Sequence, residues 1–146
     1  MRRVAALAVA SLLGACATPP PSGPDVPTPR ADSDDCAVIA AVAKEHYRFN
    51  TTDKPPLPLR FEGDFAPRCD WSRYRLAFRP YDPDRPGDPR ERLRWVSFAR
   101  PVYDGRGAVI ETGIMHGPLA GMGYECRVHS GFNGWTVGEC RNTWVS

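Results

Sequence analysis

Four cysteines constrain this chain more than any other feature. Cys36, Cys69, Cys126 and Cys140 are spread over about 110 residues, the size of one small domain. An even number in a small exported domain points to two disulfides, for which three connectivities exist. Zinc is the rival use of such a set. The chain has no C-x-x-C pair and no Cys/His cluster at zinc spacing, so a metal centre is not expected. The same absence disfavours a dithiol redox enzyme.

The expected pairing is Cys36–Cys69 and Cys126–Cys140, the second stapling a hairpin that turns at Gly131-Phe132-Asn133-Gly134. Register decides whether that staple is direct. A two-residue Asn133-Gly134 turn places Cys126 opposite Arg141, with Cys140 on the other face of the ribbon. A three-residue loop, Phe132 to Gly134, places Cys126 opposite Cys140. A direct bridge therefore requires the longer loop or a bulge.

The fifth cysteine has a different context. Arg2 and Arg3 precede an apolar run from Val4 to Leu13 that is too short to span a bilayer, which takes about 20 residues. The run ends in Leu13-Gly14-Ala15-Cys16. This segment resembles the lipobox of bacterial lipoproteins. The resemblance implies cleavage of residues 1–15 as a signal peptide, a diacylglyceryl group on the Cys16 sulfur and an acyl chain such as palmitate on its amine. Ala17 and Thr18 follow Cys16, with no aspartate directly after it. In a Gram-negative cell that pattern resembles outer-membrane sorting. The expected location is thus the cell envelope, lipid-anchored in the outer membrane and facing the periplasm.

Residues 16–35 read as a tether. The run ATPPPSGPDVPTPRADSDD is dominated by Pro, Ser and Asp and offers almost nothing apolar to bury, so a disordered, partly polyproline linker is expected. At up to ~3.1 Å per residue it would hold a domain tens of ångströms from the membrane surface. Removing Arg2 and Arg3 from the 19 basic residues leaves 17 against 17 acidic ones. That balance lacks the basic excess of a nucleic-acid binder.

The remainder, residues 36–146, reads as a single α+β domain. Asp34 and Asp35 are placed to cap a helix through Cys36-Ala-Val-Ile-Ala-Ala-Val-Ala-Lys-Glu-His-Tyr47, with Val38, Ile39, Val42 and Tyr47 as its packing stripe. Pro55, Pro56 and Pro58 prevent its continuation. Strands are expected at 57–62, 74–79, 93–103, 108–115, 121–129 and 135–145, with a polar loop at 80–92. Asp104-Gly105-Arg106-Gly107 and the Phe132-Asn133-Gly134 loop mark hairpins, so the last strands should form an antiparallel meander. One N-terminal helix packed on a curved antiparallel sheet, as in a cystatin-like or nuclear-transport-factor-like roll, is the expected architecture.

In the C-terminal half, W-V-S-F-A-R-P-V-Y, H-G-P-L-A-G-M-G-Y, G-W-T-V-G-E-C and the closing T-W-V-S carry a further likeness. This texture, over about residues 95–146, resembles a group of small uncharacterised bacterial proteins with F-S-R, G-x-L-x-G and W-V-S motifs. The group brings no activity with it. Its members often have cysteines around the G-x-L-x-G turn, where this chain has His116 and Ala120 nearby.

No catalytic constellation emerges. There is no G-x-S-x-G elbow, no phosphate-cradling loop with a following Lys-Ser/Thr, and no cofactor signature. Asp82, Asp84 and Asp88 faintly resemble a calcium loop, but intervening prolines and a missing closing Glu count against it. His46 reads as a charged or partly exposed helix-end residue and His129 as a solvated strand residue. His116, in a glycine-rich turn, is the candidate ligand-binding residue. Trp71, Trp95, Trp135 and Trp144 read chiefly as core or strand residues, with room for one to form an interaction patch. The expected function is a non-enzymatic interaction or binding module on a lipid tether, contacting an envelope protein or polymer. The alternative is a small-ligand-binding or enzymatic roll with a pocket near His116.

Overall fold

A computed structural model describes residues 31–146, and their side chains from Asp34 onward. The expected signal peptide, Cys16 and most of the expected tether lie outside the described residues. The fold is α+β: a helix, α1 (Ala31–Glu45), packs on a curved, open, six-stranded sheet. The strands are β1 (Leu59–Phe61), β2 (Trp95–Phe98), β3 (Val102–Tyr103), β4 (Gly107–Met115), β5 (Gly121–Gly131) and β6 (Gly134–Val145). Their order is β1-β2-β4-β5-β6, with β3 pairing the same edge of β4 as β2 does, further along the strand. No helix among the described residues is long and apolar enough to cross a membrane.

The helix begins at Ala31, one turn earlier than the aspartates predict. Asp34 and Asp35 therefore lie inside it rather than at its cap, and the tether assigned to residues 16–35 gives up its last five residues to α1. Asp35 is buried because its carboxylate has a partner elsewhere: the Tyr103 hydroxyl donates to Oδ1 at 2.5 Å. Val38, Ile39, Ala40, Val42 and Ala43 are almost fully buried, a wider apolar surface than a single stripe. The large members meet Val96, Phe98, Ile110, Cys126 and Val128 on the inner face of the sheet. Each fully buried Val or Ile contributes roughly 1.5–3 kcal/mol of transfer free energy, so this layer is the main source of stability.

Two features fix the end of α1. The Glu45 carboxylate accepts the backbone N–H of Val137 in β6 at 2.7 Å. Tyr47 lies 3.1 Å from Thr112 Oγ1, and Thr112 donates in turn to the Ser97 carbonyl at 2.7 Å, so the tyrosine hydroxyl is the donor to Thr112. Burial pushes the Tyr47 hydroxyl well above the usual tyrosine range.

The antiparallel meander of β4, β5 and β6 forms as expected, but three other elements differ. The segment 74–79 is not a strand. Asp70 caps a 3-10 turn, Trp71–Tyr74, by accepting the N–H of Ser72 at 3.2 Å, and Arg75 turns left-handed after it. Leu76 fills the core while Trp71 and Phe78 pack edge to face. The expected strand 93–103 is broken by Ala99-Arg100-Pro101 into β2 and β3, since Pro101 has no N–H to give the ladder. Finally, β1 runs parallel to β2, so the sheet is mostly, not wholly, antiparallel. Within the polar loop 80–92, a four-residue helix, α2 (Pro89–Arg92), is capped by Asp88.

Both expected disulfides form, Cys36 with Cys69 and Cys126 with Cys140. Of the two routes open to a direct second bridge, a longer loop or a bulge, the chain takes the bulge. Gly131 pairs with Gly134, so the loop is Phe132-Asn133, with Gly134 at φ +96°. That register alone would oppose Cys126 to Glu139. A bulge with Gly138 and Glu139 facing Arg127 restores the match, and Cys126 pairs with Cys140.

Candidate functional site

The outer face of the sheet is where this fold departs most from a plain solvated surface. Inner-facing residues of β4 are Ala108, Ile110, Thr112 and Ile114, so Gly107, Val109, Glu111, Gly113 and Met115 face outward. Their outward partners on β5 are His129, Arg127, Glu125, Gly123 and Gly121. One end of this face thus carries charge and the other carries glycine.

At the glycine end, a second bulge decides the geometry. Tyr124 pairs with Asn142, but Gly123 pairs with Trp144, leaving Thr143 as the extra residue. Asn142 holds the bulge by donating its amide to the carbonyls of Gly123 at 3.0 Å and Trp144 at 3.2 Å. Trp144 then extends across the neighbouring strands. A Cβ placed on Gly123 would overlap the pyrrole part of the indole. One on Gly121 would lie 3.0 Å from Cζ3, and one on Gly113 would lie 3.0 Å from Cζ2. Three glycine positions under one ring mean that the indole lies flat, with its second face toward solvent; Trp144 is 40% exposed. At Gly123 only glycine leaves the clearance this requires, while at Gly113 and Gly121 a Cβ would press on the ring.

The surface continues past Gly113. The same Cβ position is 3.6 Å from Cζ3 of Trp95 on β2, so the two indoles approach each other over one glycine. The Arg60 guanidinium of β1 lies 4.6 Å from the Trp95 ring and 5.8 Å from Tyr81. Ser97, buried beneath, donates to Glu62 at 3.2 Å. From β6 to β2 the platform crosses three strand spacings, about 14 Å.

Beside it lies a shallow charged depression of about 260 Å³, lined by Val109, Glu125, Arg127, Glu139 and Arg141. Arg141 pairs with Glu125 at 2.8 Å, and Arg127 makes a two-pronged pair with Asp104 at 2.6 and 3.0 Å. The Arg127 guanidinium holds the Asp104 carboxyl below the usual range. Chemically, the face combines a flat apolar shelf with fixed donors and acceptors.

The residues singled out from sequence are scattered. His116 is exposed on the β4–β5 turn, directly after Met115, where its backbone N–H bonds the Ala120 carbonyl at 2.9 Å. A groove of about 470 Å³ lies at β1 and is lined by Phe61, Trp71, Phe78 and Tyr81 among others, not by His116. The concave face, where a roll would keep a cavity, is filled by α1 and the core. Asp82 and Asp88 spend carboxylate oxygens on the N–H groups of Asp84 and Arg90, as turn and helix caps. His129 is exposed on the outer face, as expected.

His46 is the partly exposed helix-end residue that the sequence suggests, but not a charged one. It is half-buried, 4.4 Å from the Tyr124 ring, and burial followed by the Lys54 charge lowers its affinity for a proton. It is therefore a neutral packed residue at physiological pH, not a charged helix end. Its imidazole also lies beside the Cys126–Cys140 bridge, with the donor atoms of all three residues within 4.8 Å of one another.

Sequence reasoning missed the shelf. G-x-G in β5 and T-W-V-S in β6 were visible, but only the second bulge brings Trp144 over Gly123. Compared with known proteins, the chain matches no family model, no curated protein and no solved structure.

Proposed function

We propose that this chain is a lipid-tethered, non-enzymatic binding module of the cell envelope, and that it takes a cell-wall glycan strand on the outer face of its sheet. The observation that carries the reading is the Trp144 indole lying flat over Gly113, Gly121 and Gly123. An aromatic face carries negative quadrupole charge and attracts the weakly positive C–H face of a sugar ring. A platform of about 14 Å accommodates more than one ring of an extended saccharide. The charged groups beside it, Glu125, Arg127, Glu139 and Arg141, are placed to hydrogen-bond hydroxyl and amide groups along the strand.

The remaining parts fit this role. Cys16, as the lipid-bearing residue after removal of residues 1–15, anchors the chain in the outer membrane facing the periplasm. The proline-rich segment before α1 acts as the tether, and tethering raises local concentration, so modest affinity for an abundant polymer is sufficient. Residues 31–146 form the domain, in which a helix against a curved sheet follows the plan of a cystatin-like roll.

Co-sedimentation tests the reading. The full chain should pellet with insoluble cell-wall glycan, and Trp144→Ala should remain in the supernatant. Equal pelleting of the two proteins, or pelleting of neither, would overturn it.

A further inference from the structure

The Cys126–Cys140 disulfide has a third donor beside it that no spacing rule could find. Cys126 is fully buried on β5, Cys140 is partly buried on β6, and His46 follows α1. The bulge facing Arg127 sets the two cysteines opposite each other with Cα atoms 4.0 Å apart. The Glu45–Val137 and Tyr47–Thr112 hydrogen bonds flank His46 in sequence and hold it against that pair. All three donor atoms fall within 4.8 Å of one another.

We propose that, when this disulfide is reduced, the Cys126 and Cys140 thiolates and the His46 imidazole form a three-donor site for a divalent cation of the zinc class. In a tetrahedral zinc site the Zn–S bonds are about 2.3 Å, which sets the two sulfurs about 3.8 Å apart. Rotation of the freed thiols about their Cα–Cβ bonds reaches that separation without moving the strands. The partly exposed Cys140 side gives the ion a way in, and water completes the fourth position.

The chemistry balances with a dithiol as reductant. The Cys126 Sγ–Cys140 Sγ bond accepts two electrons and two protons from the dithiol, which becomes a disulfide. The cation then displaces the two thiol protons and binds two thiolates and one neutral imidazole. Either way the hairpin stays stapled: by a sulfur–sulfur bond when oxidised, by sulfur–metal–sulfur when reduced.

The test uses the full chain and cobalt(II) as a spectroscopic stand-in for zinc, followed by zinc competition. The reduced protein should bind one cobalt per chain with a thiolate-to-metal charge-transfer band and tetrahedral d–d bands, and the oxidised protein should show neither. His46→Ala should weaken binding by about tenfold to a hundredfold, while His129→Ala should not. Alkylation mapping of the two partly exposed thiols provides a readout that needs no variant: bound zinc should shield Cys140 and leave Cys69 reactive. Absence of binding by the reduced protein, undiminished binding by His46→Ala, or shielding of Cys69 instead of Cys140 would each overturn the proposal.

Discussion

The Trp144 indole rests on the backbone of Gly123, where a methyl group on the glycine would overlap Nε1. Strand β6 therefore places a tryptophan over a position that β5 must leave empty. Gly123→Ala should lift or rotate the ring, costing about 1–3 kcal/mol as overpacking. The near-ultraviolet circular dichroism of the tryptophans should change while the far-ultraviolet spectrum does not. An unchanged near-ultraviolet spectrum and melting temperature would mean that the ring does not lie there.

The hairpin staple should contribute measurably to stability. Cys126 and Cys140 are 14 residues apart, a loop whose closure restricts the unfolded chain by about 3 kcal/mol. Cys126→Ser with Cys140→Ser should lower the free energy of unfolding in urea by about that amount. A loss below about 1 kcal/mol would show that the bulge and turn hold the register unaided.

How far these elements are legible in the sequence varies along the chain. Strands β4, β5 and β6 were readable because alternation and glycine turns are local signals. The segment Tyr74 to Phe78 alternates equally well, yet Asp70 capping and left-handed Arg75 wind its start into a 3-10 turn. A local pattern could not reveal that competing hydrogen bond, nor that Asp35 belongs to Tyr103, 68 residues away. The shelf was illegible for a similar reason: its register depends on two bulges, and a bulge is a property of a strand pair.

The Tyr103–Asp35 contact makes its own prediction. Tyr103→Phe leaves a buried carboxylate without its donor, a loss of about 1–3 kcal/mol in urea unfolding. Burial and the Asp35 carboxylate raise the Tyr103 hydroxyl above its ordinary 10.0, so the folded protein holds that proton after the unfolded chain releases it. Stability should therefore fall as pH rises above about 10, and less steeply in Tyr103→Phe, where the buried Tyr47 still contributes. Identical slopes in the two proteins would contradict this.

His46 acts at the other end of the pH scale. Its folded affinity for a proton lies below the ordinary 6.5, so the unfolded chain binds protons first on acidification. Stability is retained above the unfolded value and lost as pH falls through the folded one. The urea midpoint of the oxidised protein should drop as pH falls below the ordinary 6.5, by less in His46→Gln. A variant that keeps the full acid dependence would place its origin in other groups.

The shelf itself is tested most directly by titrating soluble cell-wall glycan fragments into the full chain carrying Cys16→Ser and following tryptophan fluorescence. A saturable change is expected, abolished by Trp144→Ala and preserved by His116→Ala. No saturable change, or one that persists in Trp144→Ala, would contradict it.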